Sequence, residues 1–181
     1  MAEEMVNEVP EIDELLERLL LLTLEEGRTR LDEQGMLTPF TALAVAENMF
    51  IEDAVKEDGE TDTEECRNIA RHTVSGARGA RAYSFCYDGY VETDDGVLDV
   101  VIAEGGLPGE GEGVVVGHIY TLDEDGKPVW EETPAYIGEC LNYMINLRDP
   151  EEYGDEVIDE KYQSEEVIEE DAPETTDEPE K

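Results

Sequence analysis

The chain has 181 residues, with 50 Asp and Glu against 12 Lys and Arg, a formal charge of −38. That length accommodates one ordinary domain with additions. Charge of that sign and size repels nucleic-acid phosphates and anionic lipid headgroups, so neither nucleic acid nor a membrane surface is expected as a partner, and a basic protein or a cation is the electrostatically permitted one.

The charge is unevenly spread. Sixteen of the acids and two of the bases fall in residues 149–181, which leaves −14 there and −24 on residues 1–148. The expected organisation is a single domain over 1–148 followed by a disordered acidic tail, because a segment so poor in bulky apolar residues cannot offset the entropy of ordering. The tail repeats Glu156-Val157-Ile158 as Glu166-Val167-Ile168, beside Tyr153 and Tyr162. That pattern reads either as a solubilising tail or as short motifs that dock on a basic groove. Cys66, Cys86 and Cys140 are odd in number and form no Cys-x-x-Cys pair. Reduced thiols and a cytoplasmic location are expected. The leucine run Leu19–Leu22 is far too short to span a membrane and follows acids, unlike a secretory leader.

Residues 11–34 carry Ile12, Leu15, Leu16, Leu19, Leu20, Leu24 and Leu31 at helical spacing, with Gly27 as a break or kink and Gly35 as the stop. Leu21 and Leu22 widen that stripe, which suggests a helix gripped on two sides and a homodimer formed through it or through a sheet edge. Residues 39–46 read as a strand opened by Pro39, turning at Glu47-Asn48 into a second strand over Met49–Val55. Asp62 and Glu65 have capping-box spacing ahead of a helix over 63–77, whose apolar side runs Cys66, Ile69, Ala70, Thr73, Val74 and Ala77.

A strand over 80–92 sets Tyr83, Phe85 and Tyr87 against Ala82, Ser84 and Cys86. The small side admits a helix closely, and the aromatic side needs another layer or a pocket. Asp94-Asp95-Gly96 turns it into a strand over 97–104. Strands over 114–122 and around Val129-Trp130 follow, and Ile137, Leu141, Met144 and Ile145 favour a short helix within 135–147. The whole predicts an α+β domain, a two-layer antiparallel sheet with its helices packed on one face.

Candidate chemistry is sparse. His72 falls on the polar side of its helix, whereas His118 shares a strand face with Val116 and Tyr120. Asp99 interrupts an apolar strand and needs a partner, for which Arg81 and His118 are available, or an opening to water. Tyr83, Asp99, Glu104, His118 and Tyr120 are therefore the residues expected to line a ligand-binding or enzymatic pocket, if there is one. Asp123, Asp125 and Glu132 miss calcium-loop spacing, with Pro128 where the loop requires glycine. The glycines of 105–113 lack the Lys-Ser/Thr of a phosphate loop and lie beside Glu110 and Glu112. No catalytic set, metal site or cofactor is expected, and Cys86 reads as packing.

Pro39-Phe40, Ala80-Arg81-Ala82-Tyr83 and Tyr87-Asp88-Gly89-Tyr90, with Asp99, Glu104 and Tyr120, resemble the pattern of a group of small uncharacterised bacterial proteins. The resemblance covers roughly 12–137 and implies the fold without an activity. The leading expectation is a non-enzymatic acidic interaction or regulatory protein. The alternatives are the pocket above and a nucleic-acid-mimicking decoy that binds a basic protein.

Overall fold

In the computed structural model the described residues are 11–56 and 62–149. Helix α1, Glu14–Gln34, begins where the Asp13 carboxylate accepts from the Leu15 and Leu16 amides and ends at a left-handed Gly35, whose N–H reaches the Leu31 carbonyl. Its buried side is Leu16, Leu19, Leu20, Thr23, Leu24, Gly27 and Leu31, each large side chain contributing roughly 2 kcal/mol of apolar transfer. The helix runs unbroken through Gly27, which lies tight against the sheet, since a Cβ there would lie 2.9 Å from both Cys86 Sγ and Val101 Cγ1.

Strands β1, Phe40–Val45, and β2, Asn48–Asp53, form a hairpin around Ala46 and Glu47, with Ala46 at φ +54°. Helix α2, Thr63–Ser75, opens on a complete capping box between Asp62 and Glu65. Then come β3 (Ala80–Thr93), β4 (Gly96–Gly106), β5 (Gly113–Leu122), β6 (Pro128–Trp130) and β7 (Ala135–Cys140). All pairs are antiparallel, in the order β2-β1-β3-β4-β5-β6, with β7 on the same edge of β5 as β6.

The α+β class with an antiparallel sheet is as expected, but the helices do not share one face. Phe40, Ala42, Ala44, Ala82, Cys86, Val101 and Ala103 pack with the leucines of α1. Their strand neighbours of opposite parity, among them Leu43, Val45, Tyr83 and Phe85, pack with Val74, Cys66 and Ala70 of α2 and with Tyr143 and Met144. Period-two alternation places these two sets on opposite sides of one sheet. Both sides of β1 and of the first half of β3 are apolar, and each demands its own cover.

The short helix expected within 135–147 is also corrected. Ala135–Cys140 is a strand paired to Gly113–Gly117, and turns follow over 143–146. Because β6 pairs only with Tyr120–Leu122, the rest of that edge of β5 was left open. Its ladder hydrogen bonds outweigh a weak local helical pattern. The proposed boundary at 148 and the acidic tail fall, apart from Asp149, outside the described residues, as does most of the polar loop after Lys56.

Candidate functional site

Register decides which of the expected pocket residues meet. Glu104 pairs with Phe85 and with Val115, and Tyr83 with Gly106, so Tyr83 and Glu104 point to the α2 side. Asp99 pairs with Tyr90 and Tyr120, and His118 with Val101, on the α1 side. The five residues therefore form no single cavity. They belong to two polar clusters separated by the sheet.

On the α2 side, Glu104 is 5% exposed and fully engaged. Arg67 donates through both terminal nitrogens, at 2.9 Å each, one to each carboxylate oxygen, and Tyr87 donates its hydroxyl at 2.5 Å. Arg67 also donates to the Tyr143 hydroxyl at 2.8 Å and lies over the Phe85 and Tyr87 rings. The Glu104 hydrogen bonds hold the Arg67 guanidinium proton more tightly than usual, against the desolvation that opposes them. Burial raises the Tyr87 phenol, with the Glu104 charge adding to it, and burial raises Tyr83. Tyr83 completes the cluster, accepting the Tyr143 amide and donating to the Leu141 carbonyl. Bidentate pairing of this kind is strong and directional, and it joins α2, β3, β4 and the 141–144 segment. Every carboxylate oxygen here is committed, so the cluster is a clamp.

A second buried group sits behind it. Asn142, 2% exposed, donates to the Leu107 and Glu110 carbonyls and accepts from the Met144 amide. It thereby fastens the glycine-rich loop, and Gly106 has no room for a side chain because a Cβ would lie 2.5 Å from Asn142 Oδ1.

On the α1 side, His118 is 3% exposed, with Nε2 2.7 Å from the Glu131 carbonyl and Nδ1 without a partner. Facing a carbonyl, Nε2 is the donor. Trp130 packs against both the His118 and Tyr120 rings and donates its indole N–H to Asp32, tying β6 to the last turn of α1. The Tyr120 hydroxyl donates to Asp88 at 2.9 Å. Loss of solvent around the Asp88 carboxyl raises its pKa above the ordinary aspartate value, the Tyr120 hydrogen bond opposes that, and the Asp99 charge adds to it. Asp99 itself is open to water. Arg81 is not its partner: it lies at the far end of β3 from Tyr90, lining a cleft with Asp13 and Glu14.

Beyond the end of α1 this face of the sheet opens to solvent, apart from Tyr120, which stays buried against Trp130. Alternation places Asp88, Tyr90 and Glu92 of β3, Val97 and Asp99 of β4, Tyr120 and Leu122 of β5, and Pro128 and Trp130 of β6 on it. Tyr90, Val97 and Leu122 are 62%, 63% and 57% exposed. None of these nine positions is Lys or Arg, and three are acids. Of the expected site residues, Asp99, His118 and Tyr120 lie in or beside this surface. Asp88, Tyr90 and Trp130 were not anticipated in it. The sequence showed Asp88 and Tyr90 only within the Tyr87-Asp88-Gly89-Tyr90 motif and Trp130 only as part of a short strand, and no spacing links any of them to Tyr120.

Among the described residues, no group of three or more His, Cys, Asp or Glu side chains is arranged to hold a metal ion, and no helix is long and apolar enough to cross a membrane. No family model, curated protein or solved structure matches the chain.

Proposed function

We propose that this protein is a non-enzymatic interaction module that engages a basic protein through the exposed end of its sheet. The carrying observation is the surface just described, in which exposed Tyr90, Val97 and Leu122 are interleaved with Asp88, Glu92 and Asp99 and no Lys or Arg lies among them. Aromatic and apolar side chains supply area, and the carboxylates select the sign of the partner and speed its approach. The Arg67–Glu104–Tyr87 clamp meanwhile spends its hydrogen bonds internally, which is the behaviour of a scaffold.

Trp130 is the only tryptophan and borders the surface, so its fluorescence reads binding there. Titration with oligo-lysine at about 0.15 M salt, where the screening length is ~8 Å, is expected to change that emission. Tyr90→Ala combined with Asp99→Asn should weaken binding by about tenfold, since rim charges contribute roughly 0.2–1 kcal/mol each and an exposed aromatic anchor about 1 kcal/mol. Binding that survives these substitutions and disappears on removing residues 149–181 would transfer the role to the tail.

Self-association through α1 is a second reading. It is favoured by Leu21 and Leu22, 46% and 42% exposed on the outward side of that helix, and opposed by a charge of −38 on each copy. Sedimentation across a concentration series decides it: a monomer throughout removes it, and a dimer dissociated by Leu22→Glu supports it.

A further inference from the structure

The two edges of β3 are unequal. On one side β4 accompanies it along its whole length, to the Thr93–Gly96 pair, whereas on the other β1 pairs with it only as far as Phe40 opposite Cys86. From Tyr87 to Thr93, roughly 24 Å at strand rise, that edge meets no other strand among the described residues. Where β1 departs, an open cleft of about 510 Å³ begins, lined by Pro39, Asp53, Phe85, Tyr87 and Asp88 among others. An unpaired edge of this length is a template for another strand unless the chain blunts it with proline, lysine or a bulge. Residues 87–93 contain no Pro or Lys, and their register against β4 is unbroken.

We infer that this edge binds an extended basic segment of another protein as an added strand continuing the line of β1, with side chains alternating between basic and apolar. The inference rests on the interaction reading above and specifies its geometry. Alternation is the reason for the pattern. One row of the added strand lies over the face of Asp88, Tyr90 and Glu92, where Lys or Arg meets carboxylates. The other row lies over half-buried Val91 and beside Gly89, where the Ile102 and Tyr87 side chains close in and offer apolar contact. The ladder supplies affinity, and the two rows supply specificity. A second copy of this chain is the wrong occupant, since it brings another −38 to an acidic face.

The test is amide hydrogen exchange on the full chain, read by NMR with and without a synthetic peptide of alternating lysine and valine. Alternate amides of residues 87–93 exchange fast in the free protein and slow by about tenfold or more on addition, as ladder hydrogen bonds form, while the same peptide N-methylated at alternate residues binds about tenfold more weakly. Trp130 emission that responds with no new protection means that the peptide docks on the face without adding a strand; the strand inference then fails and the interaction reading survives. Protection that appears on Asn48–Asp53 instead assigns the peptide to the β2 edge and overturns the inference. If the alternate amides of 87–93 that face away from β4 are already protected in the free chain, the inference is overturned as well. No response of any kind removes the underlying reading.

Discussion

Removing the guanidinium from Glu104 is the most informative single perturbation of this fold. Arg67→Met keeps much of the stem that packs on Phe85 and Tyr87 but leaves a carboxylate, 7% exposed in its side chain, with the Tyr87 hydroxyl as its one remaining donor among those described. Breaking a buried ion pair from one side costs about 3–5 kcal/mol. The Arg67 side chain is 33% exposed, so water reaches the vacated place and the lower end, ~3 kcal/mol, applies. For a domain of this size that is a fall of roughly 10 °C in Tm. Adding Glu104→Leu should recover most of the loss, because an apolar pair of similar volume replaces a buried ion pair at little cost. Urea unfolding followed by Trp130 fluorescence measures the parent and both variants. A deficit below about 1 kcal/mol, or a double variant no better than the single, refutes the clamp.

Three further outcomes are expected. Gly27→Ala gains about 1 kcal/mol of helix propensity but forces a Cβ to 2.9 Å from Cys86 Sγ and Val101 Cγ1; with overpacking at about 1–3 kcal/mol the net is a loss, and a raised Tm would mean that α1 sits farther from the sheet. Asp88, raised by desolvation, keeps its proton to higher pH in the folded state than in the unfolded chain, so stability falls as pH rises from about 3.9 through the raised value. Asp88→Asn should flatten that stretch and equal or exceed the parent at neutral pH, and parallel pH profiles of the denaturation midpoint would contradict it. Burial lifts the Cys140 thiol to about 12 and Cys86 further, so near pH 8 half-buried Cys140 should react slowly with an aromatic disulfide reagent and fully buried Cys86 only as fast as the protein opens; immediate reaction of Cys86 would disprove its burial.

Local order in this chain is written in short-range patterns. The stripe from Leu16 to Leu31, the Asp13 and Gly35 caps, the Asp62–Glu65 box and the Asp94-Asp95-Gly96 turn each depend on neighbours a few residues apart, and helices and hairpins at those places follow from them. The opposed characters of β3, small on one side and aromatic on the other, even call for two covering layers. What failed depended on remote pairing. Ala135–Cys140 is a strand because β6 leaves part of the β5 edge free, a vacancy no local periodicity records.

The candidate surface divides in the same way. That Asp99, His118 and Tyr120 carry the unusual polarity of their strands is legible residue by residue. That Glu104 turns away from them toward Arg67, 37 positions earlier, is a matter of register, since one step along a strand reverses the face on which a side chain stands. Sequence alone therefore determined the elements before Ala135, the acidity and the apolar stripes, because these arise from covalent neighbours and composition. Tertiary structure alone decided that Trp130 meets Asp32, that Tyr120 meets Asp88, and that β3 outruns β1 to leave an open edge. Those contacts are set by how long each strand stays paired and which side of the sheet each helix covers, quantities that exist only once distant segments have come together.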